Sequence, residues 1–198
     1  MPYPGHAGYG YAKRMLDLQI HLLKEQYGCS FTSITPVTVI GPNDNWNYNE
    51  SHVGGSLIHK CYLAQKNNTP MEVWGTGKAL RQFVYSEDIA RILLEVLENY
   101  NDPETLIIAP DEGTSIKTLA ELIAKAFGFT GKIMFDTSKP EGELKRVLDG
   151  SKFKKLFPKF KFTPLETALK STIDWFKEHY KEISPNPSFS KRGAITTR

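Results

Sequence analysis

Hydrophobic and polar positions along the chain alternate between helical and strand spacings, and this pattern predicts the first elements. Apolar side chains recur every three or four residues over 9–27, so we predict a helix there that Gly28 ends. A β-branched run over 31–40 predicts the strand that follows, with Pro36 interrupting its hydrogen-bond ladder. The polar stretch 43–52 is predicted to be a loop.

The same alternation continues along the rest of the chain. Ser86 and Ser115 are expected to cap helices, Gly128 to end one, and Thr163–Glu166 to start another as a capping box. The apolar positions of the helix that begins at Ser86 are Ile89, Leu93, Val96 and Leu97. Helices are predicted over 54–66, 86–98, 115–127 and from 164 through 176, and strands over 71–74, 106–108 and 133–135.

Strands that alternate with helices predict an α/β fold built on a parallel sheet. The chain opens on a helix, whereas an α/β domain normally opens on a strand. From Ser184 onward the composition turns to Pro, Ser, Asn, Lys and Arg, so residues 184–198 are predicted to be a disordered tail.

Composition removes several classes of protein. The chain has 198 residues and only 2 cysteines, too few for a disulfide scaffold. No apolar run approaches the roughly 20 residues that cross a bilayer, and no signal-peptide pattern opens the chain. With 25 Lys+Arg against 22 Asp+Glu, the net charge of +3 does not indicate nucleic-acid binding. The excess is local, because residues 132–162 hold nine Lys/Arg against four Asp/Glu, which suits an anionic ligand or a solvated surface.

Tyr9 and Lys13 are the first candidates for catalysis. A spacing of four residues places both side chains on one face of the first helix, about one turn apart. An ammonium that close favours the phenolate and lowers the pKa of the phenol, so the tyrosine becomes a usable proton donor or acceptor. The same spacing arises by chance on exposed helices. The position of the pair, one helix before a strand that ends in Gly41-Pro42, favours the catalytic interpretation.

Several short blocks stand in order along the chain: YGYAKR at 9–14, PVTVIGPNDN at 36–45, SHV at 51–53, VWGTG at 73–77, RQF at 81–83 and FDTSKPEG at 135–142. Together they resemble the GDP-L-fucose synthase family of extended short-chain dehydrogenase/reductases. The resemblance runs from about Tyr9 to Tyr180 and covers nearly all of the chain. It is specific, because blocks of unrelated chemistry occur in the family's order.

The resemblance implies a reaction and a catalytic set. The family converts GDP-4-keto-6-deoxy-D-mannose to GDP-L-fucose by epimerising C3 and C5 and then reducing C4 with NADPH. Tyr9 would donate a proton to the C4 oxygen, and Lys13 would lower the pKa of Tyr9 and hold the nicotinamide ribose. His52 matches the histidine that takes part in epimerisation, and imidazole titrates near the working pH.

NADP(H) is the cofactor that the resemblance implies, and no metal is expected. Thr38 stands where the family usually has asparagine and Val37 where it has threonine, so a hydroxyl replaces an amide near the nicotinamide. The implied cofactor contacts are Lys13, Pro36, Val37, Thr38, Val39 and His52.

The substrate contacts that the resemblance implies need positive charge and a flat ring. The rigid fork of Arg81 suits phosphate oxygens, whereas Lys60 replaces a common arginine and offers only a point charge. The full implied set is Lys60, Trp74, Arg81, Glu141 and Arg146.

Relative to the family, the chain resembles the C-terminal part of a Rossmann-like parallel sheet plus a small α/β substrate-binding domain. Residues 1–53 would belong to the NAD(P)-binding part, and residues 54–183 mainly to the substrate-binding domain with returning Rossmann segments. The family's glycine-rich loop and catalytic cysteine have no match, and Cys29 and Cys61 are expected to be structural. We therefore expect an N-terminally truncated form that is inactive or impaired alone.

Two other hypotheses stay open. The chain could serve another nucleotide-sugar epimerase or dehydratase reaction. It could also be a non-catalytic homologue that binds a GDP-sugar or dimerises with a complete enzyme. The resemblance favours a homodimer through the first helix and a cytoplasmic location, without a nucleic-acid or membrane partner.

Overall fold

The computed structural model describes residues 7–47 and 51–183, and these form an α/β fold. In chain order the elements are α1 Ala7–Tyr27, β1 Ile34–Pro36, β2 Thr38–Ile40, α2 Val53–Asn67, β3 Met71–Trp74, β4 Leu80–Arg81, β5 Phe83–Tyr85, α3 Ser86–Asn99, β6 Leu106–Ile108, β7 Thr114–Ser115, α4 Ile116–Phe127, β8 Ile133–Asp136, β9 Lys145–Arg146, α5 Ser151–Leu156 and α6 Leu165–Ile183. None of these helices is long and apolar enough to cross a membrane. The predicted tail, 184–198, lies outside the described residues.

Four parallel strand pairs confirm the predicted architecture. β1 pairs with β6, β2 with β5, β3 with β8 and β4 with β9, and β7 pairs antiparallel with β4. β1 and β2 are the two halves of the strand predicted over 31–40. The break falls at Val37, directly after the proline, and the Val37 N–H still donates to the Ile108 carbonyl at 3.1 Å. The pattern did not predict the three-residue strand β5 or the two-residue strands β4, β7 and β9, and two residues are too few to show a period.

Two hydrophobic clusters support these strands. The larger packs α2, α4 and α6 around β3, and the smaller packs α3 and α5 against β6. Trp46 comes from the loop predicted over 43–52, yet it is buried in the larger cluster with its ring 6.1 Å from that of Trp175. The loop is therefore anchored to the core by one aromatic side chain, which a polar pattern could not indicate.

Helix α3 carries apolar residues on two faces, and only one of them is buried. Ile92 and Val96 are buried, whereas Leu93 and Leu97 are 49% and 81% exposed. Both faces of this helix carry apolar residues, so the helical period could not decide which face lies against the sheet.

One predicted helix cap is confirmed and another is wrong. The Ser115 hydroxyl accepts the Thr118 N–H at 3.0 Å at the start of α4, and Gly128, with φ of 68°, ends that helix. Ser86, by contrast, is the first helical residue of α3. The residue before it, Tyr85, is the N-cap and makes no side-chain cap bond.

A buried carboxylate joins α3 to the segment before α6. Asp88 is fully buried and accepts the backbone N–H and the hydroxyl of Thr163, at 2.7 and 2.9 Å. The guanidinium of Arg91, one turn along α3, pairs with the same carboxylate. The hydroxyl predicted to begin a capping box is thus donated to another helix. A carboxylate in a core needs such partners, because burial removes its hydration.

Burial also sets the chemistry of the cysteines. Cys61 lies inside the larger cluster, and burial raises the pKa of its thiol to about 12. Cys29 is half-buried, and neither cysteine forms a disulfide. A thiol with so high a pKa is unreactive at neutral pH, which suits the structural role expected for Cys61.

Replacing Asp88 with alanine is expected to lower the free energy of unfolding by about 2–4 kcal/mol, because the Thr163 N–H then loses its charged acceptor. Urea unfolding followed by circular dichroism measures the change. Glu87→Ala is the matched control, since Glu87 is an exposed acid in the same helical turn. We expect that control to lose less than about 1 kcal/mol. Equal losses in the two variants would contradict a specific role for the buried carboxylate.

Candidate active site

Helix α1 presents Tyr9 and Lys13 as their spacing predicts. Both residues are exposed, and the Lys13 ammonium lies 5.5 Å from the centre of the Tyr9 ring. The tyrosine is 70% exposed. The two side chains therefore form an accessible phenol–ammonium pair on one helical face.

Polar contacts hold α1 against β1 and β6. Of the residues of this helix, only Ile20 is buried. Asp17, one turn beyond Lys13, accepts the hydroxyl of Thr105 at 2.5 Å, and Thr105 in turn accepts the hydroxyl of Ser33 at 2.6 Å. Ser33 and Thr105 directly precede β1 and β6, so this hydrogen-bond network connects α1 to the β1–β6 strand pair.

A cavity of about 1000 Å³ opens between α1 and the end of β2, and we call it the tyrosine cavity. Every residue implied for catalysis or for the cofactor lines it, together with one residue implied for the substrate. His52 reaches it from the N-cap of α2. The lining includes Tyr9, Lys13, Pro36, Val37, Thr38, Val39, His52 and Arg146.

Asp44 is a carboxyl group of the tyrosine cavity that no sequence pattern indicated. It lies in the loop after β2 and lines the cavity with His52. Partial burial raises the pKa of Asp44, while the Asn45 N–H, at 2.7 Å, and the charge of His52 oppose that shift. Asp44 and His52 thus interact electrostatically within the site.

A smaller cavity of about 240 Å³, the tryptophan cavity, is lined by α2, β3 and the turn that follows β3. Lys60 is only 7% exposed, and its ammonium lies 4.5 Å from the centre of the Trp74 ring. Burial lowers the pKa of Lys60, and the charge of Glu72 opposes this. The four implied substrate residues found here are Lys60, Trp74, Arg81 and Glu141. A half-exposed indole beside a cation suits a nucleotide.

The two cavities are linked by the strand pair β4–β9. Arg81 of β4 is the register partner of Arg146 of β9, and each lines a different cavity. Ser51 and Val53, which flank His52, line the tryptophan cavity while His52 lines the tyrosine cavity. An anionic ligand that extends from one cavity to the other would therefore meet an arginine in each.

Several polar residues of the tyrosine cavity were not found from the sequence, among them Asp17, Ser33, Asp44 and Thr105. The only local indication was the spacing of Asp17, four residues after Lys13 on the same helical face. Within residues 7–47 and 51–183, no group of three or more His, Cys, Asp or Glu side chains is arranged to hold a metal ion.

The sequence and fold match one protein family. The model of the NAD dependent epimerase/dehydratase family matches residues 1–109. The chain belongs to this family, whose Rossmann-like fold accounts for the parallel strand pairs.

The proteins similar to this chain include GDP-L-fucose synthases. A GDP-L-fucose synthase of Dictyostelium discoideum is 43% identical over 182 residues, which are 91% of this chain and 57% of that protein. A probable GDP-L-fucose synthase of Drosophila melanogaster is 38% identical over 190 residues, 91% of this chain and 59% of that protein. A crystal structure of a GDP-L-fucose synthetase from Naegleria fowleri bound to NADP superposes with a TM-score of 0.88 and 43% identity, over 91% of this chain and 58% of that one. The chain thus spans less than two thirds of the length of these relatives.

Removing the Thr105 hydroxyl is expected to loosen α1. Thr105→Val deletes the donor to Asp17, and one hydrogen bond to a charged group is worth about 1.5–3 kcal/mol, so α1 amides should exchange with solvent at least about tenfold faster. Hydrogen exchange measured by mass spectrometry reports this helix separately from α2, which should not change.

Thr105→Ser is the control, because it keeps the hydroxyl and should keep the protection of α1. Unchanged exchange in Thr105→Val would show that apolar contacts, rather than this network, hold the helix.

Proposed function

We propose that this chain takes part in the GDP-L-fucose synthase reaction, the epimerisation at C3 and C5 and NADPH-dependent reduction at C4 of GDP-4-keto-6-deoxy-D-mannose. The observation that carries the proposal is the pair of linked cavities, one with Tyr9, Lys13 and His52 and the other with Lys60 and Trp74. A nucleotide sugar has two parts of different chemistry. In this arrangement the sugar binds in the tyrosine cavity and the nucleotide in the tryptophan cavity. The 43% identity to the Dictyostelium enzyme supports this substrate class.

The tyrosine cavity suits the nicotinamide end of NADP(H), which supplies the hydride when bound. The Lys13 ammonium can donate hydrogen bonds to ribose hydroxyls, and the largely apolar segment 36–39 offers a surface for a flat ring. With about 1000 Å³, the cavity has room for that end of a dinucleotide together with a sugar. The Naegleria fowleri protein is bound to NADP, which supports the same cofactor here.

The residues of the tyrosine cavity provide the proton transfers. Tyr9 donates its phenolic proton to the C4 oxygen as the carbonyl is reduced, and Lys13 stabilises the phenolate that remains. His52 exchanges protons at the carbons next to the ketone, which are acidic because the enolate places its charge on oxygen. The nearby Asp44 carboxyl group interacts electrostatically with His52.

The tryptophan cavity and the linking arginines provide the nucleotide contacts. Trp74 packs against the nucleotide, Lys60 supplies a nearby positive charge, and Arg81 and Arg146 bind the diphosphate as it passes between the cavities. Glu141 lines the same cavity. Two arginines from paired strands suit a diphosphate better than a single phosphate, because each can bind one phosphate group.

Two alternatives lead to different outcomes. The chain could act on another nucleotide sugar, since a dTDP-4-dehydro-6-deoxy-D-allose reductase of Streptomyces bikiniensis is 30% identical over 172 residues. It could also bind a GDP-sugar without catalysis. The nucleotide preference separates the first alternative from the proposal, and turnover separates the second.

The chain is expected to bind GDP more tightly than UDP or dTDP, as measured by isothermal titration calorimetry. Arg81→Met should weaken GDP binding by about 10–100-fold, because a hydrogen bond to a charged group is worth about 1.5–3 kcal/mol. Lys125→Met, which removes an exposed charge from α4, should leave the affinity unchanged.

Oxidation of NADPH in the presence of the keto-sugar nucleotide measures turnover. Any turnover contradicts the non-catalytic alternative, whereas GDP binding with little turnover is expected of a chain in which the family's glycine-rich loop has no match. Tighter binding of UDP or dTDP than of GDP contradicts the proposed substrate.

We also propose that α1 forms a homodimer contact through the face opposite its tyrosine–lysine pair. Apolar side chains there are spaced by four, three and four residues, which is the spacing of a helix that packs along another helix. All four are 40–55% exposed: Tyr11, Met15, Leu18 and Leu22. A second copy of the chain is the natural partner, because two such helices related by a two-fold axis are self-complementary.

Sedimentation equilibrium should give twice the mass of one chain for the wild type. Leu18→Glu is expected to raise the dimer dissociation constant at least about tenfold, since it places a charge in an apolar contact. Leu97→Glu is the matched control, because Leu97 is an exposed leucine on α3, outside the proposed contact. A monomeric wild type, or an equal effect of both variants, would contradict the contact through α1.

Two further predictions from the sequence are retained in the proposal. Residues 1–53 contribute to the cofactor-binding part and residues 54–183 mainly to the substrate-binding domain. The helices of the larger hydrophobic cluster, α2, α4 and α6, all follow residue 52, and Ile40 and Trp46 join the cluster from the first part. A cytoplasmic location also stays a prediction.

A further inference from the structure

Glu141 connects two loop segments that wall the tryptophan cavity. Its carboxylate oxygen Oε1 accepts the hydroxyl of Thr76 at 2.6 Å and the backbone N–H of Lys78 at 3.2 Å. Thr76 and Lys78 belong to the turn after β3, whereas Glu141 belongs to the segment after β8. One carboxylate therefore holds together two loops that are far apart in the sequence.

The turn after β3 also lies close to Glu141 and to the end of β8. Gly75 has a φ of 79°, and a Cβ added to it would lie 2.8 Å from the Cβ of Glu141. The Gly75 N–H donates to the carbonyl of Asp136 at 2.9 Å. This contact leaves no room for a side chain at position 75, and it brings the Glu141 carboxylate within reach of the turn.

The joined loops carry groups that face the tryptophan cavity. Trp74 directly precedes the turn, and Pro140 lines the cavity beside Glu141. The Lys139 ammonium lies 5.8 Å from the centre of the Trp74 ring, so this segment brings a second cation to the indole that Lys60 already contacts. A shift of the segment after β8 would move Lys139 and Pro140 together.

We infer that Glu141 is a positioning residue that acts through Thr76 and Lys78 to hold Lys139 and the Trp74 wall in place for a nucleoside diphosphate. This inference rests on the proposed function and deepens it. The Thr76 hydroxyl is the largest of the causes that lower the pKa of Glu141, so the charged carboxylate is the form that makes the contact. Glu141 thus contributes to nucleotide binding through the shape of the cavity.

The sign of the effect separates this role from a direct electrostatic one. Removing a negative charge near an anionic ligand should strengthen binding, whereas loss of a positioning contact should weaken it. We expect Glu141→Ala and Thr76→Val each to weaken GDP binding by about 5–10-fold in isothermal titration calorimetry, the equivalent of about one hydrogen bond. The double variant should bind GDP with the affinity of the more impaired single variant, because both substitutions break the same contact.

Control variants separate the contact from charge and size. Glu143→Ala removes an exposed carboxylate two residues away and should not weaken GDP binding. Thr76→Ser keeps the hydroxyl and should retain the wild-type affinity. Additive losses in the double variant, or a Thr76→Val variant that binds GDP normally, would overturn the inference.

A measurement without ligand tests the contact itself. The Lys78 amide should exchange with solvent faster in Glu141→Ala and Thr76→Val than in the wild type, and unchanged exchange would overturn the inference. A wild-type chain that binds no GDP contradicts the proposed function and this role with it. A wild type that binds GDP, with an affinity that the two variants leave unchanged, contradicts this role alone.

Discussion

The parallel pairing of the segment 34–40 with two later strands is the constraint on which the site depends. Its first half pairs with β6 and its second half with β5. Parallel strands end at the same edge of a sheet, so the loop after β2 and the start of α3 meet there. The approach is close, because a Cβ on Gly41 would lie 1.9 Å from the Ser86 hydroxyl oxygen. The tyrosine cavity opens at this edge, and its residues come from both sides of that meeting point.

Elements whose own residues carry a clear pattern could be predicted, and the two-residue strands could not. Helix α4 has its own cap in Ser115 and its own terminator in Gly128, so its bounds follow from neighbouring residues. The two-residue strand β4 exists only because it pairs with β7 and β9, which lie far along the chain in a register that no local pattern contains. Helix α3 lies between these cases, because its length is local while the choice between its two apolar faces depends on the sheet.

Within the candidate site, too, local contacts could be predicted from the sequence and distant contacts could not. The pairing of Tyr9 with Lys13 is a property of one helix, so their spacing was sufficient to place them together. The resemblance to a family supplied His52 and the substrate residues, but it did not show that they line two linked cavities. Asp17 and its partner Thr105 are 88 residues apart, and only the folded chain shows that their hydrogen bond holds α1 against the sheet.

The fold explains part of the local excess of positive charge over residues 132–162. Within 132–162, Lys152 pairs with Asp102 and Glu104, and Lys154 pairs with Asp111, so part of the excess is balanced by acids outside the segment. Two other cations of the segment, Lys139 and Arg146, lie at the two cavities. Because Arg81 and Lys60 come from elsewhere in the chain, the positive potential at the site is assembled from separate segments. A net charge therefore predicts little about an anionic ligand here, whereas the register of β4 and β9 places Arg81 beside Arg146, two cations that are far apart in the sequence.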